Sequence, residues 1–241
     1  YDRYGAKWAF GIPGILMALA TVIFFLGRKT YINVPPSGIN KNNFVFISIY
    51  ALLNWRSKKK KQSLLDVAKE KFDHQKVEDV KTVYNVLAVF AFIPIFWALW
   101  DQNLSEWVLQ ATKMDRHILG INLLPEQIQT VNPFFLLVFI PIFNYWLYPF
   151  LDKRGLKTTP LRRIGACLVL TAISFVIIAL IQTSIDGGAT PAIGWQVLAY
   201  AILAAAEVLV SITGLEYAYT QASKSMKSTM IAIWLLTTAL G

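Results

Sequence analysis

Apolar residues along the chain gather into runs long enough to cross a bilayer, and the polar connections between them alternate between strongly basic and nearly uncharged. At ~1.5 Å rise per residue, about 20 residues cover the ~30 Å hydrocarbon layer. The first run, 8–26, holds Gly11, Pro13 and Gly14 in its first half, residues that kink membrane helices or let them approach closely. A polar stretch follows from 28 to 81. Within it the segment FVFISIYALLNW (44–55) is apolar but too short to span, and Arg56 and Lys58, Lys59, Lys60 and Lys61 come at once after it. That pattern predicts a helix lying in the headgroup region. Residues 63–79 mix charges of both signs with apolar residues at helical spacing and predict one cytoplasmic helix.

The second span, 83–100, ends in Phe96, Trp97 and Trp100, placed as an interfacial aromatic belt would be, and Asp101 closes it. The third, 133–151, starts with Pro133 in the first helical turn, where a missing N–H costs nothing. The fourth covers 164–181. A turn with Asp186, Gly187, Gly188 and Pro191 leads to the fifth, 193–215, which has Glu207 inside it and Glu216 at its end. A sixth starts near Met230 and is too short to cross, so the 241 residues are expected to be part of a longer chain. No signal peptide is expected ahead of the first span.

Composition agrees with this pattern. Hydrophobic residues make up 56% of the chain and charged residues only 15%, against roughly a quarter charged in soluble proteins. Mean hydropathy is +0.48. The net charge of +9 would suit a nucleic-acid partner, but nineteen of the Lys and Arg residues fall in alternate connections and only four on the other side. Such alternation orients a membrane protein with its basic connections in the cytoplasm, and no nucleic-acid partner is expected. Cys167, the single cysteine, sits in an apolar run and reads as a packing residue. His74 and His117 lie in polar connections, and no phosphate-binding loop or metal-ligand spacing occurs. Without a nucleophile, base or metal set at one depth, an enzyme is not expected. Asn103-Leu104-Ser105 formally matches a glycosylation acceptor, a triplet common by chance.

Ionisable groups at membrane depth cost at least ~2.5 kcal/mol at a helix centre and usually face a cavity or a partner. Asp101 and Trp97, four residues apart, share one helix face and could line one cavity wall. Glu207 and Glu216 are nine residues apart and, at ~100° per residue, project to opposite sides. Depth counting makes Glu207 the buried acid; spacing does not choose between them.

The strings FWALWDQNLSEWVLQATKM (96–114), QTVNPFFLLVFIPIFNYWLYP (129–149), GLEYAYTQASKSMKS (214–228) and GRKTYINVPP (27–36) resemble the proton-dependent oligopeptide transporters of the major facilitator superfamily. The resemblance implies an all-α membrane protein in which 1–27 is helix 6, 28–81 a cytoplasmic linker with interfacial and polar helices, and 82–241 the C-terminal transmembrane bundle, helices 7 to 11 with the last cut short. It implies proton-coupled symport of di- and tripeptides across the cytoplasmic membrane by alternating access between two halves. The proton gradient is the energy source and no cofactor is needed. The partners would be peptides, protons, the bilayer and the N-terminal half. A same-scaffold carrier of nitrate or another small solute is the alternative.

Residue by residue, the resemblance gives Asp101 a gate and coupling role, with Trp97 lining the cavity beside it. Asn132 would hydrogen-bond the peptide backbone. Glu216 would meet the peptide ammonium and take part in coupling, and Thr220, one turn on, would offer a small hydroxyl. The motif thus selects Glu216 over Glu207, leaving Glu207 protonated or hydrogen-bonded between helices. Three positions depart from the pattern. Ser223 replaces a usual proline, which would loosen the end of helix 10. Asn144 replaces an acid and faces Asn85 where a base is usual, so a neutral pair is expected between helices 7 and 8. Trp234 lies too early to be the cavity aromatic of helix 11.

Overall fold

Five helical stretches long and apolar enough to cross a membrane occur among the described residues: Phe10–Lys29, His74–Thr112, Pro125–Lys153, Pro160–Asp186 and Gly194–Gln221, with a shorter apolar helix, Lys227–Leu240, after them. The computed structural model describes residues 5–32, 42–58, 62–118, 120–223 and 225–241. Lys59, Lys60 and Lys61, expected on the cytoplasmic side, lie outside the described residues, as do Arg3, Lys41 and Lys224 of the charge alternation.

The chain divides into two units, Tyr1–Asn40 and Lys41–Gly241. The first contains α1 (Gly5–Leu26), which keeps Pro13 inside it. A 3-10 turn follows, where Tyr31 donates to the Phe24 carbonyl at 2.8 Å and the Arg28 guanidinium stacks 4.2 Å from the Phe25 ring centre. The Tyr31 hydroxyl satisfies a helix-end carbonyl that would otherwise need water.

The second unit begins with α2 (Phe44–Leu53), capped by the Asn43 side chain accepting from the Phe46 amide at 3.0 Å. Residues 63–79 do not form the single helix expected of them. Ser63 and Asp66 open a 3-10 helix, Leu64–Glu70, and Asp73 then caps a new helix, α3 (His74–Phe90), accepting from the Gln75 amide. Two capping residues ten positions apart override the shared periodicity. Within the segment from 41 to 81, Ile47, Ala51, Leu65 and Ala68 are fully or nearly buried in the same core as Val77 and Val80 of α3.

The second span is likewise two helices. Pro94 cannot donate to the Phe90 carbonyl, and the chain turns at Ala91 and Phe92 before α4 (Ile93–Asp101). A 3-10 turn carries it into α5 (Glu106–Thr112), followed by a short antiparallel hairpin of β1 (His117–Ile118) and β2 (Ile121–Asn122). The third span is α6 (Val131–Ile142), a π-helical turn at Phe143–Leu147, and α7 (Tyr148–Lys153). Pro141 and Pro149 bracket the π-turn, each removing an i→i−4 bond and so favouring the wider turn. The long helices α8 (Pro160–Asp186) and α9 (Gly194–Gln221) and then α10 (Lys227–Leu240) complete the unit.

Helix α9 is the central element. Its buried stripe, including Ala199, Leu203, Ala206, Val210, Thr213 and Gly214, is rich in small residues that let neighbours approach closely. Ser174 of α8 donates to the Ala199 carbonyl at 3.0 Å. A Cβ at Gly214 would overlap the Trp234 ring of α10. Trp234 also meets Phe90 edge-on at 5.4 Å, so it is a packing residue.

Contacts at the two ends of the bundle follow the alternation of the charges. At one end Ser225, between α9 and α10, donates to Asp79 near the start of α3 at 3.0 Å. At that end too Arg163, near the start of α8, meets Glu216 near the end of α9. At the opposite end Gln110 of α5 donates to Gln182 near the end of α8 at 3.0 Å, and Asp115 pairs with Ala192 just before α9. Lys76 and Lys81 of α3, Arg162 and Arg163 at the start of α8 and Lys227 at the start of α10 belong to the first end.

Candidate functional site

Glu207 lies midway along α9 and is the acid that joins the helices. Its Oε2 accepts the Trp100 indole N–H at 2.8 Å and the Asn132 amide at 3.0 Å, linking α4, α6 and α9 through one oxygen. Asn132 is buried, and its Oδ1 has no hydrogen-bond partner. Trp97, three residues before Trp100 on α4, packs edge-on against Phe96 and Trp100 with ring centres 5.1 and 5.8 Å away. Its indole nitrogen is also buried without a partner. Asn103 donates its side-chain amide to the Trp100 carbonyl, and Tyr200 of α9 donates to the Asn103 carbonyl at 2.9 Å. The result is a polar seam across the apolar core with two buried polar atoms still unmatched, each of which costs about 1–3 kcal/mol unless something else satisfies it.

Asp101 closes α4 and is exposed, and its carboxylate has no hydrogen bond or ion pair to a described residue. Glu216 is also exposed and lies five residues inside α9, which runs on to Gln221 rather than ending at 215. Its Oε2 is 3.5 Å from Arg163 Nη1, and that guanidinium stacks 4.0 Å from the Tyr148 ring centre. Thr220 is exposed one turn beyond Glu216 and donates to the Tyr217 carbonyl at 3.2 Å.

The residues singled out from the sequence therefore fall into two groups. Trp97, Asp101 and Asn132 surround or border the Glu207 seam, whereas Glu216 and Thr220 sit nearer the basic end. The two glutamates serve different neighbours, Glu207 facing α4 and α6 and Glu216 facing α8, as half-turn spacing requires. Sequence reasoning missed Trp100 and Arg163. An acid inside an apolar run signals that a donor must exist on another helix, but not which one.

One expected departure turns out differently. Asn85 and Asn144 are both exposed and share no hydrogen bond, so the neutral pair does not form. Ser223 follows the end of α9 at Gln221, and its hydroxyl lies 3.1 Å from that of Ser225, which holds Asp79. Cys167 is buried among core residues. Among the described residues no three His, Cys, Asp or Glu side chains gather as a metal group would.

A family model described as "POT family" matches residues 1–241. Solute carrier family 15 member 2 of Oryctolagus cuniculus is 37% identical over 210 residues, covering 85% of this chain and 29% of that protein. The solved POT family transporter PepTSo matches with a TM-score of 0.84 at 34% identity, over 99% of this chain and 55% of that one. An auto-inhibited POT family peptide transporter matches with a TM-score of 0.81 at 32% identity, also over 99% and 55%. The chain thus spans less than a third of the length of that solute carrier and about half of the two transporters.

Proposed function

The chain belongs to the POT family of multi-pass membrane transporters, and on that premise we propose that it forms the C-terminal helical part of a proton-coupled symporter of di- and tripeptides. The observation that carries this reading is the family match over the whole chain, together with carboxylates that the packing leaves available. Asp101 is exposed and unpaired, and Glu216 is held only at 3.5 Å by one guanidinium. A carboxylate at membrane depth without a tight partner is suited to exchange protons and to meet a peptide ammonium.

In this reading an N-terminal half supplies basic partners for Asp101 and Glu216, and the two halves rock around a central site. Asp101 gates and couples. Trp97 lines the cavity wall, with its unmatched indole N–H available for a carbonyl or water. Asn132 offers the free Oδ1 of its amide to the peptide backbone, and Glu216 and Thr220 bind at the basic end, placed in the cytoplasm of a cell whose cytoplasmic membrane holds the protein. Aromatic walls tolerate varied side chains while a few fixed polar groups orient the backbone.

The test is uptake of a labelled dipeptide into proteoliposomes holding the full-length protein, driven by an inside-negative, inside-alkaline gradient. Accumulation that collapses with a protonophore is the expected result. Absence of dipeptide uptake alongside proton-driven accumulation of nitrate or another small solute would replace the substrate assignment.

A further inference from the structure

Between the basic-end halves of the third and fourth spans lies a cavity of about 580 Å³, inside the ~300–1,000 Å³ range of small-ligand sites. Its walls are apolar: Phe143 and Leu147 of the π-turn, Leu151 of α7, Val169 and Leu170 of α8, and Leu209 of α9. The π-turn places Phe143 and Leu147 in this wall. On α8 a Cβ added to Gly165 would meet nothing within 4 Å, so the slot has open room at helix depth.

The mouth has a different chemistry. Lys157, Arg162 and Arg163 border it. Arg162 donates to the Lys157 carbonyl at 3.1 Å, which keeps these two residues together. Arg163 has its Nε buried with no hydrogen-bond partner, although Glu216 lies 3.5 Å from its Nη1. The nearby acid Asp152 is occupied, accepting from both the amide and the hydroxyl of Thr158 at 3.0 Å. Cations therefore outnumber the acids free to answer them.

We propose that this cavity takes one acyl chain of an anionic phospholipid along its apolar walls, with the lipid phosphate at the mouth against Lys157, Arg162 and Arg163. An apolar slot ending in a cluster of cations complements an amphiphile with a negative head, and a basic residue near an anionic lipid surface contributes about 1 kcal/mol. A peptide has too many backbone donors and acceptors for these walls. A zwitterionic lipid would fill the slot but leave the three cations without a net negative partner. The site is separate from the Glu207 seam and does not depend on which solute is carried.

Native mass spectrometry of the full-length protein, released from nanodiscs of equal phosphatidylglycerol and phosphatidylcholine, tests the proposal. The unaltered protein is expected to retain phosphatidylglycerol in preference. Lys157→Gln and Arg162→Gln should each weaken that preference about fivefold. Gly165→Leu, which fills the slot from a position with room for it, should lower phosphatidylglycerol retention to the level of phosphatidylcholine. Equal retention of the two lipids by the unaltered protein overturns the proposal. Undiminished phosphatidylglycerol retention in Gly165→Leu, or in the Lys157 and Arg162 double variant, overturns it as well. The comparison of lipids on the unaltered protein decides the matter even where a variant fails to fold.

Discussion

The Trp100 indole N–H reaches Glu207 Oε2 at 2.8 Å, across 107 positions of sequence, and Asn132 reaches the same oxygen at 3.0 Å. A single carboxylate oxygen thus aligns three spans. Because both bonds are donated to the acid, an amide oxygen at the same place can accept them in the same geometry.

Glu207→Gln is therefore expected to fold and to keep its thermal midpoint close to that of the unaltered full-length protein. Glu207→Leu leaves the Trp100 and Asn132 donors unmatched, at about 1–3 kcal/mol for each buried one. Thermal unfolding monitored in detergent separates the two. Equal midpoints for the leucine and glutamine variants would show that the seam contributes nothing to stability.

Gly214 and Trp234 offer a second test. Adding a methyl group at 214 drives it into the Trp234 ring, which Phe90 and its own burial hold in place. Overpacking of this kind costs about 1–3 kcal/mol, more than the ~1 kcal/mol that alanine gains over glycine in a helix. Gly214→Ala should destabilise the protein, yet stabilise it or leave it unchanged in a Trp234→Leu background. The same sign in both backgrounds would refute the contact.

The long spans were legible in the sequence because an apolar run of bilayer length has few alternatives. Their interruptions were less so. Pro94 breaks the second span whereas Pro13 stays inside α1, and Asp73 beginning a new helix competes with periodicity that runs straight through it. Glu207 stood out as an acid within an apolar stretch, but its partner Trp100 looked like one more belt tryptophan. Arg163 looked like one more cytoplasmic cation. Which donor meets which acid depends on how helices lie side by side, and no single-chain periodicity carries that.

Topology gives a third expectation. Lys58 and Arg162 belong to basic connections and Lys113 to the opposite side, where it borders the cavity lined by Gln110 and Gln182. With Cys167 first replaced, single cysteines at 113 and 162 can be exposed to a membrane-impermeant reagent in intact cells. Labelling at 113 and none at 162 is expected, and the reverse pattern would invert the orientation.

Asp66 joins the segment before α3 to α3 itself, accepting from Lys69 at 2.8 Å and Lys81 at 2.6 Å. Those two ammonium groups hold its carboxyl well below the usual carboxylate range, and Asp66 in turn, with Glu78, raises Lys69 above its ordinary value. A lowered carboxylate pKa stabilises the fold at every pH above the unfolded value of about 4 and is lost only as pH falls through the folded value. The raised lysine acts in the opposite window, stabilising below about pH 10 and losing its effect as pH rises beyond. Hydrogen exchange across 64–81 should therefore be protected evenly from pH 5 to pH 8, apart from the intrinsic pH dependence of exchange, as ~4 and ~10 bound that range. Asp66→Asn should lose protection throughout it. Protection that falls between pH 7 and pH 5 would require a different titrating group.

The last expectation sets Glu216 against Glu207. Burial by itself would name Glu207 as the working acid, since it is the more enclosed and the one at mid-helix. Yet its Oε2 already accepts from Trp100 and Asn132, and both bonds survive replacement by glutamine. Glu216 is exposed, and its 3.5 Å contact with Arg163 is long for a charge-assisted hydrogen bond, so a peptide ammonium or a cation of an N-terminal half could compete for it. In the full-length protein Glu216→Gln is expected to abolish proton-driven dipeptide accumulation while sparing exchange of labelled for unlabelled dipeptide across equal pH. Glu207→Gln is expected to retain accumulation. Exchange lost together with accumulation in Glu216→Gln would show that the charge of that acid is needed for peptide binding as well as for coupling. Normal accumulation by Glu216→Gln, with a well-folded but inactive Glu207→Gln, would move the working carboxylate from the basic end of α9 to its middle.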